Sequence, residues 1–204
     1  MIRLYDYLSS GNAYKVRLLL TQLAIPFERI DVDILAGASR TPAFLAKNLN
    51  GRIPVLELED GRCLSESDAI LFYLAEGTPF LPNDRFERAQ VLQWMFFEQY
   101  SHEPNIATVR FWMHTEMTPE RHAQLERKRA LGYAALEVME RHLGGSQAAR
   151  RYFVADRYTI ADTALYAYTH VAPEGGFDLE RFSAVRSWLE RVAAQPGHIP
   201  LTLA

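Results

Sequence analysis

The sequence predicts a small mixed α/β domain followed by an all-helical one. Three observations carry this. Apolar residues in the first part of the chain switch repeatedly between a two-residue and a helical period. The stretch Gly77-Thr78-Pro79-Phe80-Leu81-Pro82 then interrupts every pattern with two prolines and a glycine. Beyond it, each apolar pattern has helical spacing. The expected division is residues 1–78, a linker over 79–85, and a helical domain over 86–204.

Each element follows from its residues. Ile2 to Tyr7 is a short apolar-rich strand. Val16, Leu19, Leu20 and Leu23 recur at helical spacing, so a helix is expected over 13–23, ended by Pro26. A second strand is expected over 27–33. Thr41-Pro42 caps and opens a short helix through Leu45 and Ala46. Val55-Leu56-Glu57-Leu58-Glu59 alternates with period two, and Asp60-Gly61 marks a hairpin turn. From Ser67, Ala69, Ile70, Tyr73 and Leu74 return to helix, giving the order β-α-β-α-β-β-α. In the second part, one long helix is expected over 86–114. Thr118-Pro119-Glu120 opens another that runs to Gly144-Gly145, Thr159-Ile160-Ala161-Asp162 caps a third, and Val185, Trp188, Leu189 and Val192 mark the last.

Composition narrows the function classes. Apolar residues make up 49% and charged residues 23% of the chain, with a formal net charge of −3. There is no basic run for nucleic acid, and charges interrupt each apolar stretch before it reaches membrane-spanning length. The start Met1 to Tyr7 lacks the apolar core of a signal peptide, so a cytoplasmic location is expected. Cys63 is the single cysteine, which excludes an intrachain disulfide and a Cys-x-x-Cys redox centre. It reads as a small buried apolar residue. The six histidines show no metal-ligand spacing, and no metal is expected.

Three segments carry candidate chemistry. Ser9-Ser10-Gly11-Asn12 lies between a strand and a helix, where unpaired N–H groups and the positive dipole end favour an anion such as a thiolate. The same residues are preferred helix caps without any ligand. In Arg52-Ile53-Pro54-Val55, a cis proline would leave the Ile53 main chain for an extended peptide ligand, and a trans proline would simply open an edge strand. In Ser65-Glu66-Ser67-Asp68, Glu66 and Ser67 suit the ammonium and carboxylate of an amino-acid-like ligand. The same segment also has the form of a capping box, Ser65-x-x-Asp68.

The order and spacing of these segments resemble those of the soluble glutathione transferases, over essentially the whole chain. The matching residues are Leu4-Tyr5, Ser10 to Arg17, Asn50-Gly51-Arg52-Ile53-Pro54-Val55-Leu56, Leu64-Ser65-Glu66-Ser67-Asp68-Ala69-Ile70, and Thr159-Ile160-Ala161-Asp162. The resemblance implies a thioredoxin-like first domain and a helical second one, the glutathione transferase fold. It is to a bacterial serine-type member that is a cytoplasmic homodimer and uses reduced glutathione as co-substrate, with no permanently bound cofactor. By the same resemblance Ser10, with Ser9 and Asn12 nearby, stabilises the thiolate. Ile53, before a cis Pro54, pairs with the cysteinyl unit, and Glu66 and Ser67 hold the γ-glutamyl end. Arg40 and Arg52 face the glycyl carboxylate, and Asp162 is a buried capping residue that serves folding.

The reaction implied is attack by the glutathione thiolate on a small, hydrophobic electrophile. Phe111, Trp112, Tyr166 and His170 are candidate walls for that second substrate, although at helical spacing they also suit a core. Alternatives are a glutathione-dependent disulfide reductase, a maleyl-type isomerase and a non-catalytic glutathione-binding protein. Ser9-Ser10 and Val16-Arg17 resemble the isomerase branch, but that branch carries a cysteine where Asn12 aligns.

Overall fold

The computed structural model describes residues 1–145 and 150–203. The chain forms two compact units, Met1–Gly77 with Pro196–Ala204, and Thr78–Gln195. The expected fold class is the one observed: a mixed four-stranded sheet with helices, then a helical unit.

In the first unit the sheet has the order β2-β1-β3-β4. Strand β1 (Ile2–Asp6) pairs parallel with β2 (Phe27–Asp31), which requires the crossover helix α1 (Gly11–Gln22). Strand β3 (Val55–Glu57) pairs antiparallel with β1 and with β4 (Cys63–Ser65). Alternation along the strands divides the core into two layers. Leu4 and Leu56 pack with Val16 and Leu20 of α1 and Ile70 of α3 (Ser67–Ala75). Their neighbours Tyr5 and Val55 turn to the other face, with Val32 and with Phe44 of α2 (Pro42–Leu45). Cys63 joins this second layer but is only half-buried.

The segment 196–203 lies with this unit because its carbonyls accept from α1. Tyr14 Oη donates to the Ile199 carbonyl at 2.7 Å, and Arg17 Nη2 donates to that of Leu201 at 2.6 Å. The expected boundary had placed this segment with the helices. Residues 146–149 and 204, part of the expected helical domain, lie outside the described residues.

The second unit comprises α4 (Arg85–Phe97), α5 (Glu103–Met113), α6 (Pro119–Gly144), α7 (Ile160–Thr169) and α8 (Ser183–Ala193). Every residue of α7 is buried, and Trp188 of α8 is fully buried. The single helix expected over 86–114 is divided by a π-helical turn, Glu98–His102. Pro104 has no N–H to continue the α-helical ladder, and the wider turn absorbs that break. Among the described residues no helix is long and apolar enough to cross a membrane.

Candidate active site

Helix α1 follows β1 after a four-residue loop, so its first turn lies beyond the C-terminal end of that inner strand. Ser10 is its N-cap: extended backbone (φ −75°, ψ 119°), with Oγ accepting from the Ala13 N–H at 3.3 Å. As the acceptor in that bond, the hydroxyl does not spend its own proton on the cap. Ser9 is exposed, and Asn12 is the second residue of the helix, in its first turn and half-buried.

The loop from β2 to β3 closes over this helix start. A cavity of about 270 Å³ is lined by Ser10, Ile34, Ser39, Arg40, Gly51, Arg52 and Ile53. Four residues singled out in the sequence thus meet at one pocket. Both guanidinium-bearing residues are exposed, and Arg40 Nη1 donates to the Asn50 carbonyl at 2.9 Å. Two cations and a helix N-terminus make the pocket electropositive, which suits an anionic ligand. The Ile53–Pro54 peptide bond is cis, resolving the alternative left open by the sequence.

Gly51, absent from the candidate residues, shapes the wall. Its φ is +61°, and a Cβ there would come within 2.6 Å of Arg40 Nη1 and 2.9 Å of the Ser39 carbonyl. Ile34 and Ser39 were also missed; neither carries a local signal, because the loop alone brings them to the pocket.

Helix α3 supplies the second group. The capping box open to Ser65 and Asp68 does not form: the N-cap is Glu66, with no side-chain cap bond and a backbone at φ 68°, ψ 113°. A positive φ at a non-glycine residue is costly and clusters at ligand sites. Asp68 instead accepts from Lys15 Nζ at 3.2 Å. Lys15 also donates to Ser67 Oγ at 3.4 Å, and Ser67 Oγ donates to Asn12 Oδ1 at 3.2 Å. These contacts join the first turns of α1 and α3. Lys15 is fully buried, and its one sequence signal was a cation beside Val16 on an otherwise apolar stripe.

The remaining candidates lie in the helical unit. Phe111 is exposed and Trp112 half-buried on α5. Tyr166 is 4% exposed, and its ring stacks on that of His170 with centroids 4.5 Å apart. Burial pushes the Tyr166 phenol up to about 12, so it stays protonated at neutral pH. Asp162 is fully buried. Its carboxylate accepts from the N–H groups of Thr159 and Phe153, the Thr159 hydroxyl and the Trp188 indole.

Comparison with known proteins identifies the family of both parts of the chain. Residues 1–76 match the glutathione S-transferase N-terminal domain, and residues 96–196 match the glutathione S-transferase C-terminal domain. The disulfide-bond oxidoreductase YfcG of Escherichia coli (strain K12) is 30% identical, over 97% of this chain and 92% of its own. A crystal structure of a glutathione S-transferase from Pseudomonas fluorescens (Pf-5) is 52% identical with a TM-score of 0.94, covering 98% of each chain. A structure of Ure2p in complex with glutathione is 25% identical with a TM-score of 0.88, covering 96% of this chain and 95% of that one. The chain belongs to the glutathione S-transferase family.

Proposed function

We propose that this chain is a serine-type glutathione transferase that binds reduced glutathione in its first domain, over 1–78, and activates the thiolate for attack on a small hydrophobic electrophile. The observation that carries the reading is Ser10, a helix N-cap with a donatable hydroxyl, in one electropositive pocket with Arg40, Arg52 and Ile53. Family membership and the glutathione-bound Ure2p support the ligand.

The residues then divide the peptide between them. Ser10, with Ser9 and Asn12 close by, holds the sulfur. The Ile53 main chain, set by cis Pro54, pairs with the cysteinyl unit. Glu66 takes the ammonium of the γ-glutamyl end, and the main-chain N–H of Ser67, at the start of α3, donates to its carboxylate, the Ser67 hydroxyl proton being held by Asn12 Oδ1. Arg40 and Arg52 take the glycyl carboxylate. A free thiol has a pKa of about 8.5, and lowering it by about two units requires roughly 2.7 kcal/mol of preferential thiolate stabilisation. One charge-assisted hydrogen bond plus the helix N-terminus supplies that. The thiol proton leaves to solvent, the sulfur forms a bond to carbon, and the leaving group departs with the electron pair of the bond that breaks. Phe111, Trp112 and His170 are the aromatic side chains assigned to the electrophile, and Tyr166, itself buried, backs the His170 ring. The setting is a cytoplasmic homodimer, checked by sedimentation at micromolar concentration.

The test is turnover of an electrophile panel by wild type and Ser10→Ala, with calorimetric titration of reduced glutathione. Loss of one hydrogen bond to a charged sulfur lowers kcat/KM by about 10- to 100-fold. Unchanged turnover would remove Ser10 from this role. The similarity to YfcG favours a second reading, reduction of a disulfide by two glutathione molecules with release of two thiols and oxidised glutathione. Activity on disulfides alone would select it.

A further inference from the structure

Lys15 is the buried cation nearest in sequence to the helix start that bears Ser10 and Asn12. Its side chain is fully buried, which costs several kcal/mol unless the charge is paired. Asp68 at 3.2 Å is a sufficient partner for that purpose. The contact with Ser67 Oγ is additional, and it has a consequence for hydrogen-bond direction.

An ammonium group only donates, an amide oxygen only accepts, and a serine hydroxyl has one proton. With Lys15 donating to Ser67 Oγ, the hydroxyl proton points onward to Asn12 Oδ1. That bond holds the Asn12 oxygen toward Ser67 and turns the NH₂ end of the amide away from it. We propose that Lys15 is a positioning residue that polarises the chain Lys15–Ser67–Asn12, so that Asn12 presents donors, not its oxygen, to the glutathione sulfur. This rests on the thiolate site proposed above. Asn12 then acts with the Ser10 hydroxyl on one helix turn, where both donors and the helix dipole favour the same anion. Without Lys15 the hydroxyl is free to rotate and the amide to flip, and a flipped amide would set a partial negative charge against the thiolate.

The experiment is titration of bound glutathione, followed by its ultraviolet thiolate absorbance. It uses wild type, the double variant Lys15→Met with Asp68→Asn, Lys15→Arg, Asn12→Ala, and the combination of the double variant with Asn12→Ala. Removing both members of the ion pair avoids stranding a buried carboxylate. The expected result is a rise in the thiol pKa of about one unit in the double variant, with recovery of most of the depression in Lys15→Arg. Adding Asn12→Ala should raise it no further than Asn12→Ala does alone, because the relay acts through that amide. A purely structural Lys15 would lower stability and leave the titration where it was, and that result overturns the proposal. So does an effect of the double variant that adds to that of Asn12→Ala. If the double variant does not fold, Ser67→Ala cuts the same chain without touching the buried charges, and an unshifted thiol pKa there is equally refuting. A wild type that leaves the thiol pKa at its free value shows a different failure, that of the thiolate reading itself, and the relay falls with it.

Discussion

Asp162 offers the sharpest test of how the helical unit is held together. Its Oδ1 accepts from the Phe153 N–H at 3.1 Å and Trp188 Nε1 at 2.9 Å, and its Oδ2 from the Thr159 N–H at 2.9 Å and Thr159 Oγ1 at 3.1 Å. Asp162→Ala strands two backbone N–H groups and the indole N–H; the threonine hydroxyl can rotate to another acceptor. Three buried unpaired donors lose roughly 6 kcal/mol. Burial of the carboxylate opposes this, pushing its pKa from 3.8 up to about 6 despite those donors, and removing the charge returns about 3 kcal/mol near neutral pH. The net loss is about 3 kcal/mol.

The pH dependence has a definite sign. The folded pKa lies above the unfolded value, so between about 4 and 6 the folded state holds the extra proton and this group favours folding more as pH falls. The variant lacks that gain, so its deficit is larger at about pH 5 than at about pH 8, by about 1 kcal/mol. Guanidinium unfolding followed by tryptophan emission measures both, because Trp188 is fully buried against this carboxylate. A deficit under about 1 kcal/mol, or one that shrinks as pH falls, would refute the argument.

Three further outcomes follow from the site and its supports. Glu66→Gly removes a strained positive φ, so the melting temperature holds or rises, while the Kd for glutathione rises about tenfold with the lost carboxylate contact; parallel loss of both would contradict the separation of strain from binding. Gly51→Ala drives a Cβ against Arg40 and the Ser39 carbonyl at φ +61°, costing about 2 kcal/mol and weakening glutathione binding, as read by melting with and without ligand. Glu140 accepts from the Ala184 and Val185 N–H groups at 3.0 and 2.9 Å and from the Ser183 hydroxyl at the start of α8. Glu140→Ala should therefore cost about 1 kcal/mol in unfolding experiments without changing glutathione affinity.

The candidate site is assembled from parts that differ in how local they are. Ser10 was legible because capping is decided by the residue and the turn that follows it. Glu66 and Ser67 were legible as a segment, but their geometry was not. The competing capping box looked equally well formed until Asp68 was seen to pair with Lys15, 53 residues earlier in the chain. Pro104 was visible, yet whether it ends a helix or is absorbed in a wider turn depends on what packs around it.

By itself the sequence determined the element order of the first unit, the change from a mixed α/β unit to a helical one, and the loops that hold the candidate residues, because period, capping and turn residues act over a few positions. Tertiary structure decided the rest: the cis Ile53–Pro54 bond, the closing of Ile34, Ser39 and Gly51 around Ser10, the return of the segment 196–203 to α1, and the Lys15–Ser67–Asn12 chain. Each of these depends on groups far apart in the chain meeting in a space that only the packed sheet and helices define. A buried charge or hydroxyl must find its partner there, wherever in the sequence that partner lies.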